Sequence, residues 1–246
     1  MHASTIHRSF AVEYNYFFNI FFSTAMATTR TTTRLIGILF ITPFFFYGGG
    51  NALIDSVLTS SNTAHFLASL PADKFTFIIG AILMLLNSFN VAALGVLLLP
   101  IVQEHGKALG YGYFAGRLAE AVLLAVGVVA LLCLVHLADG YSNHAPSGII
   151  SHETLAALLQ KVNYWCFQTA MLALCTGSFG FCVVLWRTNL VSTTLAFMLL
   201  VGYVLLFVGA VFEMFGYNVG VMLSVPGGLC EIGFGAWLVV KGLNMP

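Results

Sequence analysis

The stretch that decides the fold is Tyr111-Gly-Tyr-Phe-Ala-Gly-Arg117-Leu-Ala-Glu120-Ala-Val-Leu-Leu-Ala-Val-Gly-Val-Val-Ala-Leu-Leu-Cys-Leu-Val135. From Ala121 to Val135 it carries no charge, and Arg117 and Glu120 stand just ahead of the apolar run. Residues three apart share a helix face, so the two form an ion pair on one side of a spanning helix, near one membrane surface. The other segments of the chain can be arranged around this helix.

Composition points the same way. Of 246 residues, 59% are hydrophobic and 7% charged, whereas a soluble domain has about 25% charged residues. The mean hydropathy is +0.95. So little polar surface cannot coat a water-soluble globule, and the chain reads as a multi-pass membrane protein whose constant partner is the lipid bilayer. A formal net charge of zero and the lack of a basic patch argue against nucleic acid. The cysteines Cys133, Cys166, Cys175, Cys182 and Cys230 all lie in or beside apolar runs without a Cys-x-x-Cys pair, and read as small apolar residues.

Six runs reach spanning length: Leu35–Ile54, Phe75–Pro100, Ala115–Ala138, Tyr164–Trp186, Ser192–Phe212 and Tyr217–Val240. At about 1.5 Å per residue each covers a hydrocarbon core of roughly 30 Å. None shows the period-2 alternation of a β-barrel. The expected fold is therefore all-α, an integral membrane bundle of six transmembrane helices over residues 34–246. Basic residues flank these runs unevenly. Arg8, Arg30, Arg34, Lys107, Arg117, Arg187 and Lys241 fall on one side, and Lys74 and Lys161 on the other. The excess marks the cytoplasmic side and puts both termini there. Two longer external loops are expected at Asp55–Lys74 and Asp139–Asn163, the second with a short surface helix at Leu155–Leu159.

Residues 1–33 form a separate N-terminal segment. Tyr14–Phe22 is aromatic but too short to span, and reads either as an interfacial stretch or as sequence upstream of a true start at Met26.

The second and third runs, Ala92-Ala-Leu-Gly-Val-Leu-Leu-Leu-Pro100, Lys107-Ala-Leu-Gly-Tyr111 and Gly116-Arg-Leu-Ala-Glu-Ala-Val-Leu-Leu124, resemble a bacterial family of multi-pass membrane proteins known as domain of unknown function 4386. The start, Thr33-Arg-Leu-Ile-Gly-Ile-Leu39, and the end, Glu231-Ile-Gly-Phe-Gly-Ala-Trp-Leu-Val-Val-Lys-Gly242, are similar to it too. The resemblance runs from about Thr33 to Gly242 and implies a helical protein of the bacterial cytoplasmic membrane. It supplies no activity.

Glu231 is the costliest residue in the chain. It sits near mid-bilayer in the sixth run, where a carboxylate costs about 2.5–3.5 kcal/mol on insertion scales. It must be protonated, hydrogen-bonded or paired. Pro226-Gly-Gly228 just upstream is expected to break or kink that helix, as happens at transporter ion sites. If Glu231 meets Arg117 and Glu120, one guanidinium faces two carboxyls, an arrangement that suits proton binding and equally suits helix locking. Asn87 and Asn90 share a face at mid-span, either bonding a neighbouring helix or lining the same cavity as Glu231. Gln168 and Tyr203 are weaker members of such a seam.

His65, His136, His144 and His152, with Asp139, lack metal-ligand spacing, so no metal site is expected. No cofactor motif, phosphate loop or catalytic signature is present, and no catalytic residue is assigned. Three functions remain open: a small transporter or ion-coupled protein using Arg117, Glu120, Glu231, Asn87 and Asn90 for a small-molecule or ion ligand; a structural or regulatory membrane subunit; or an intramembrane enzyme using buried carboxylates.

Topology is directly testable. Reporter fusions after Gln103 and Lys241 should read cytoplasmic and a fusion after Gly140 external; a cytoplasmic signal at Gly140 reverses the orientation.

Overall fold

The computed structural model describes residues 30–58, 63–143 and 151–243. Helix α1 (Arg30–Pro43) passes through a π-helical turn (Phe44–Gly48) into α2 (Gly49–Leu58), and the three run on as one span. Then follow α3 (Thr63–Gln103), α4 (Lys107–Asn143), α5 (His152–Thr188), α6 (Thr193–Met214) and α7 (Gly220–Val240). Among the described residues there is no strand. The six spans are all long and apolar enough to cross a membrane, and the chain is a six-helix transmembrane bundle. The reading of Tyr14–Phe22 lies outside the described residues, as do His144 and the connections 59–62 and 144–150.

Exposure follows the polarity of lipid. On α4, Leu118, Val122, Val126 and Val129 form an exposed stripe, while Arg117, Glu120, Leu124 and Val128 on the opposite face are buried. On α3, Ile82, Leu86 and Phe89 are exposed, and Asn87, Asn90, Val91 and Leu94 are buried. Chains with few charges solve the membrane problem this way, turning polar side chains towards the bundle interior.

The helices pack closely where glycine removes the side chain. A β-carbon on Gly37 of α1 would lie 2.6 Å from the carbonyl oxygen of Gly235 on α7, and one on Gly50 of α2 would lie 2.6 Å from that of Gly80 on α3. One on Gly202 of α6 would lie 2.8 Å from the Cα of Gly227 on α7. These contacts hold backbone against backbone and fix the relative height of neighbouring side chains.

Three expectations are corrected. The long loops do not exist as such: α2 runs to Leu58 with α3 starting at Thr63, and α4 runs to Asn143 with α5 starting at His152. Leu155–Leu159 belongs to α5 and is continuous with the span. Helices of 41, 37 and 37 residues are roughly 55–60 Å long, about twice a hydrocarbon core. Their extensions share a core of Phe66, Leu67, Leu70, Val135, Ala138 and Ala156, whose spacing outweighs the Ser-, Asn- and His-rich composition around it. Lastly, of the break or kink expected at Pro226, the break is absent: Pro226 lies inside a continuous α7.

The end of the bundle that holds Arg30, Gln103, Lys107 and Lys241 is called here the basic end, and the opposite one the far end. At the far end, Glu213 in the last turn of α6 accepts from the Gly220 backbone N–H that opens α7 (2.7 Å) and from the Tyr164 hydroxyl of α5. The carboxylate thus caps the positive end of α7 and ties three helices together.

Glycine packing has a measurable cost when removed. Gly202→Ala should lower stability by about 1–3 kcal/mol, the usual penalty of overpacking. Gly233, where a β-carbon meets nothing within 4 Å, should tolerate alanine without loss. Thermal unfolding of both variants in detergent checks the contrast; equal behaviour would mean α6 and α7 do not touch at Gly202.

Candidate functional site

Arg117 lies ten residues into α4, roughly 15 Å from its start at Lys107. Glu231 lies nine residues, roughly 14 Å, before the end of α7 at Val240. The two therefore stand at the same depth, and Arg117 is deeper than the near-surface position expected. Residues 107–114, which precede the apolar run Ala115–Ala138, are the first two turns of the helix.

Local packing makes room for the guanidinium. Gly95 on α3 faces the base of the side chain, and a β-carbon there would lie 3.0 Å from Cβ of Arg117. Arg117 Nη1 donates to Glu120 Oε2 at 3.0 Å, Nη2 to Glu231 Oε1 at 3.4 Å, and Nε to the Tyr113 hydroxyl oxygen at 3.0 Å. The Tyr203 hydroxyl of α6 donates to Glu231 Oε1 at 2.7 Å. The rings of Phe40 and Tyr113 each lie 5.5 Å from the guanidinium carbon, within cation–π range. Side-chain exposure is 4% for Arg117, 5% for Glu120 and 16% for Glu231. Four elements, α1, α4, α6 and α7, converge on one cation.

Charge accounting sets the chemistry. With both acids ionised the cluster carries one net negative charge in a setting where an unbalanced charge is expensive. A proton or another cation restores neutrality.

The cluster forms one wall of a deep-lying cavity of about 240 Å³ that is half open, with the exposed Phe44 and Gly48 in its lining. Arg117, Glu120, Glu231, Asn87 and Ser224 supply its polar lining, and Leu124, Met171, Leu174 and Leu206 much of the apolar remainder. Asn87 Oδ1 is buried here and has no hydrogen-bond partner. Asn90, one turn on, does not line the cavity. Its amide donates to the Leu39 carbonyl (2.9 Å) and accepts from the Thr42 hydroxyl (2.9 Å), tying α3 to α1. So of the two asparagines one faces the cavity and the other locks helices. Tyr203 joins the cluster through Glu231, while Gln168 lines a second cavity towards the far end.

Two participants went unnoticed in the sequence. Tyr113 was recognisable in principle, since it stands four residues before Arg117 on the same face. Phe40 carried no such signal, because its meeting with Arg117 depends on how α1 packs. Away from the cavity, Asp139 pairs with Lys74 at 3.0 Å, both about half exposed. No group of three His, Cys, Asp or Glu residues able to hold a metal ion occurs among the described residues.

The family described as Domain of unknown function (DUF4386) matches residues 35–242. No curated protein and no solved structure matches the chain.

Coupling across the cluster can be measured. Removing one partner of a fully buried pair typically costs about 3–5 kcal/mol. Arg117→Ala should approach that loss, and adding Glu231→Gln should recover part of it by removing the uncompensated carboxylate. Thermal unfolding in detergent of the wild type, both single variants and the double variant gives the interaction term. Strictly additive losses would mean that Arg117 and Glu231 do not interact.

Proposed function

The chain belongs to the DUF4386 family, whose description carries no activity, and from that premise we propose an ion-coupled membrane transporter that binds a proton or small cation at Arg117, Glu120 and Glu231. One observation carries this reading: both carboxyls and their shared arginine line the same cavity, together with an asparagine oxygen that nothing bonds. A cluster that only locks helices gains nothing from an adjoining cavity and gains most from exclusion of water. Here the pair is open to a ligand on one side and held by Tyr113 and Tyr203 on the other.

The proposed orientation has both termini in the cytoplasm of a bacterium, with the bundle in its cytoplasmic membrane. Arg117 leaves the count of flanking charges, since its guanidinium is turned into the bundle. Six basic residues against two still favour the basic end as the cytoplasmic one. The proton or cation then reaches the cluster from the far end and leaves towards the basic end, or the reverse.

Binding and transport are tested separately. Infrared difference spectra across a pH jump should show a carboxyl C=O stretch that is lost in both Glu120→Gln and Glu231→Gln. A spectrum indifferent to both substitutions removes the binding half. In vesicles holding a pH-sensitive dye, an imposed membrane potential should drive proton flux that Glu231→Gln abolishes. Flux equal to that of protein-free vesicles removes the transport half.

A further inference from the structure

We propose that Tyr47 and Phe167 form a gate between the deep cavity and a second one, and that the ligand crossing it is a small organic cation of the alkylammonium class. The second cavity, about 390 Å³, lies towards the far end and is lined by Asn51, Asp55, Gln160, Asn163, Tyr164 and Gln168 among others. Tyr47 and Phe167 line both cavities. Their rings stack with centroids 5.2 Å apart and planes inclined by 24°. The stack is the wall the two cavities share.

The backbone beneath Tyr47 is built to move. Tyr47 sits in the π-helical turn Phe44–Gly48, where the α-helical hydrogen-bond register is interrupted. The first span is pinned below this turn by Gly37 against Gly235 and above it by Gly50 against Gly80. Between the pins, a β-carbon on Gly48 or Gly49 would meet nothing within 4 Å. A segment fixed at both ends, with open space at Gly48 and Gly49, can rotate Tyr47 without dislodging the helix, while Phe44 of the same turn stays against Gly228 of α7. Phe167 rides on the continuous α5 and is the fixed leaf of the gate.

Cation preference comes from the linings. With both acids ionised the deep cavity sums to one net negative charge, and Asp55 is the charged residue of the far lining. Lys161 stands 5.2 Å from the ring of Tyr164 and does not belong to that lining. Two aromatic faces at the crossing favour a cation with an apolar periphery. A hard metal ion would want six or more oxygen ligands, more than the deep cavity offers beside Arg117. The cation class rests on the reading of the carboxyls given above; the gate rests on the two cavities and their shared wall alone.

The test places a thiol at the far side of the gate. Asn87→Cys is labelled in detergent with a trimethylammonium-bearing methanethiosulfonate, and peptide mass spectrometry separates this site from the native cysteines. Labelling at 87 should be slow with the gate intact and at least tenfold faster in Phe167→Ala or Tyr47→Ala, while Tyr47→Phe keeps the slow rate. Asn163→Cys, in the far cavity, should label quickly in every background. Should Asn87→Cys not accumulate, Leu124→Cys reports on the same cavity. An unchanged rate at 87 on removing either ring overturns the gate. A sulfonate-bearing reagent entering as fast as the ammonium one overturns the cation class and leaves the gate standing. A gate effect without the carboxyl band of the previous section would uphold the route and reject the proton site.

Discussion

The arginine buried between two acids is the contact on which the arrangement of this bundle depends. Lipid gives helices no hydrophobic reason to associate, so specificity must come from close packing and from polar groups that find each other. Arg117 reaches Glu120 on its own helix, Glu231 on α7 and the ring of Phe40 on α1, and Glu231 in turn holds Tyr203 on α6. Removing the guanidinium would leave Glu231 at mid-depth with the Tyr203 hydroxyl and would take from Glu120 its hydrogen bond to Arg117. Few alternative packings of six apolar helices would satisfy this set. The cluster therefore selects one helix arrangement at the same time as it creates a place for a ligand.

Glycine provides the complementary constraint. Glu231 sits one turn after Gly227 and one turn before Gly235, and those two residues press α7 against α6 and α1 respectively. The carboxyl is thereby aimed by backbone contacts on both sides of it. The far end uses a different device, in which Glu213 caps α7 and draws in Tyr164 from α5. A polar clamp at the far end and glycine contacts at mid-depth leave the cavity between them bounded by rigid helices, with one irregular turn facing it.

The six spans were legible because length and lack of charge suffice to identify a membrane helix. Glu231 and the Arg117–Glu120 pair were legible because charged residues in apolar runs are rare. Their meeting was not, since it depends on which helices are neighbours, and apolar sequences encode that only through small residues scattered in every span. Asn87 and Asn90 show the limit well. Three residues apart they share a face, yet about 60° and roughly 4.5 Å along the axis separate them enough that one meets α1 and the other a cavity. The extensions of α3, α4 and α5 were misjudged for a different reason: scattered Ser, Asn and His read as loop there, but Phe66, Leu67 and Leu70 still recur at helical spacing. The gate pair was invisible, because one aromatic in a run of four, Phe44 to Tyr47, gives no hint of which ring turns inward.

Those extensions place one chain in two solvents. The helices α6 and α7, of 22 and 21 residues, match a hydrocarbon core, while α3, α4 and α5 continue for roughly 25 Å beyond it. The collar they form, around Phe66, Leu70, Val135 and Ala156, is stabilised as a water-soluble protein is, by release of water from apolar surface. It therefore carries the large heat capacity of that process and its sensitivity to urea and to cold. The embedded part gains little from water release and rests on dispersion and on the arginine cluster. The collar and the embedded bundle thus melt by different physics, and a cooled or urea-treated protein can lose its crown while its transmembrane helices remain packed.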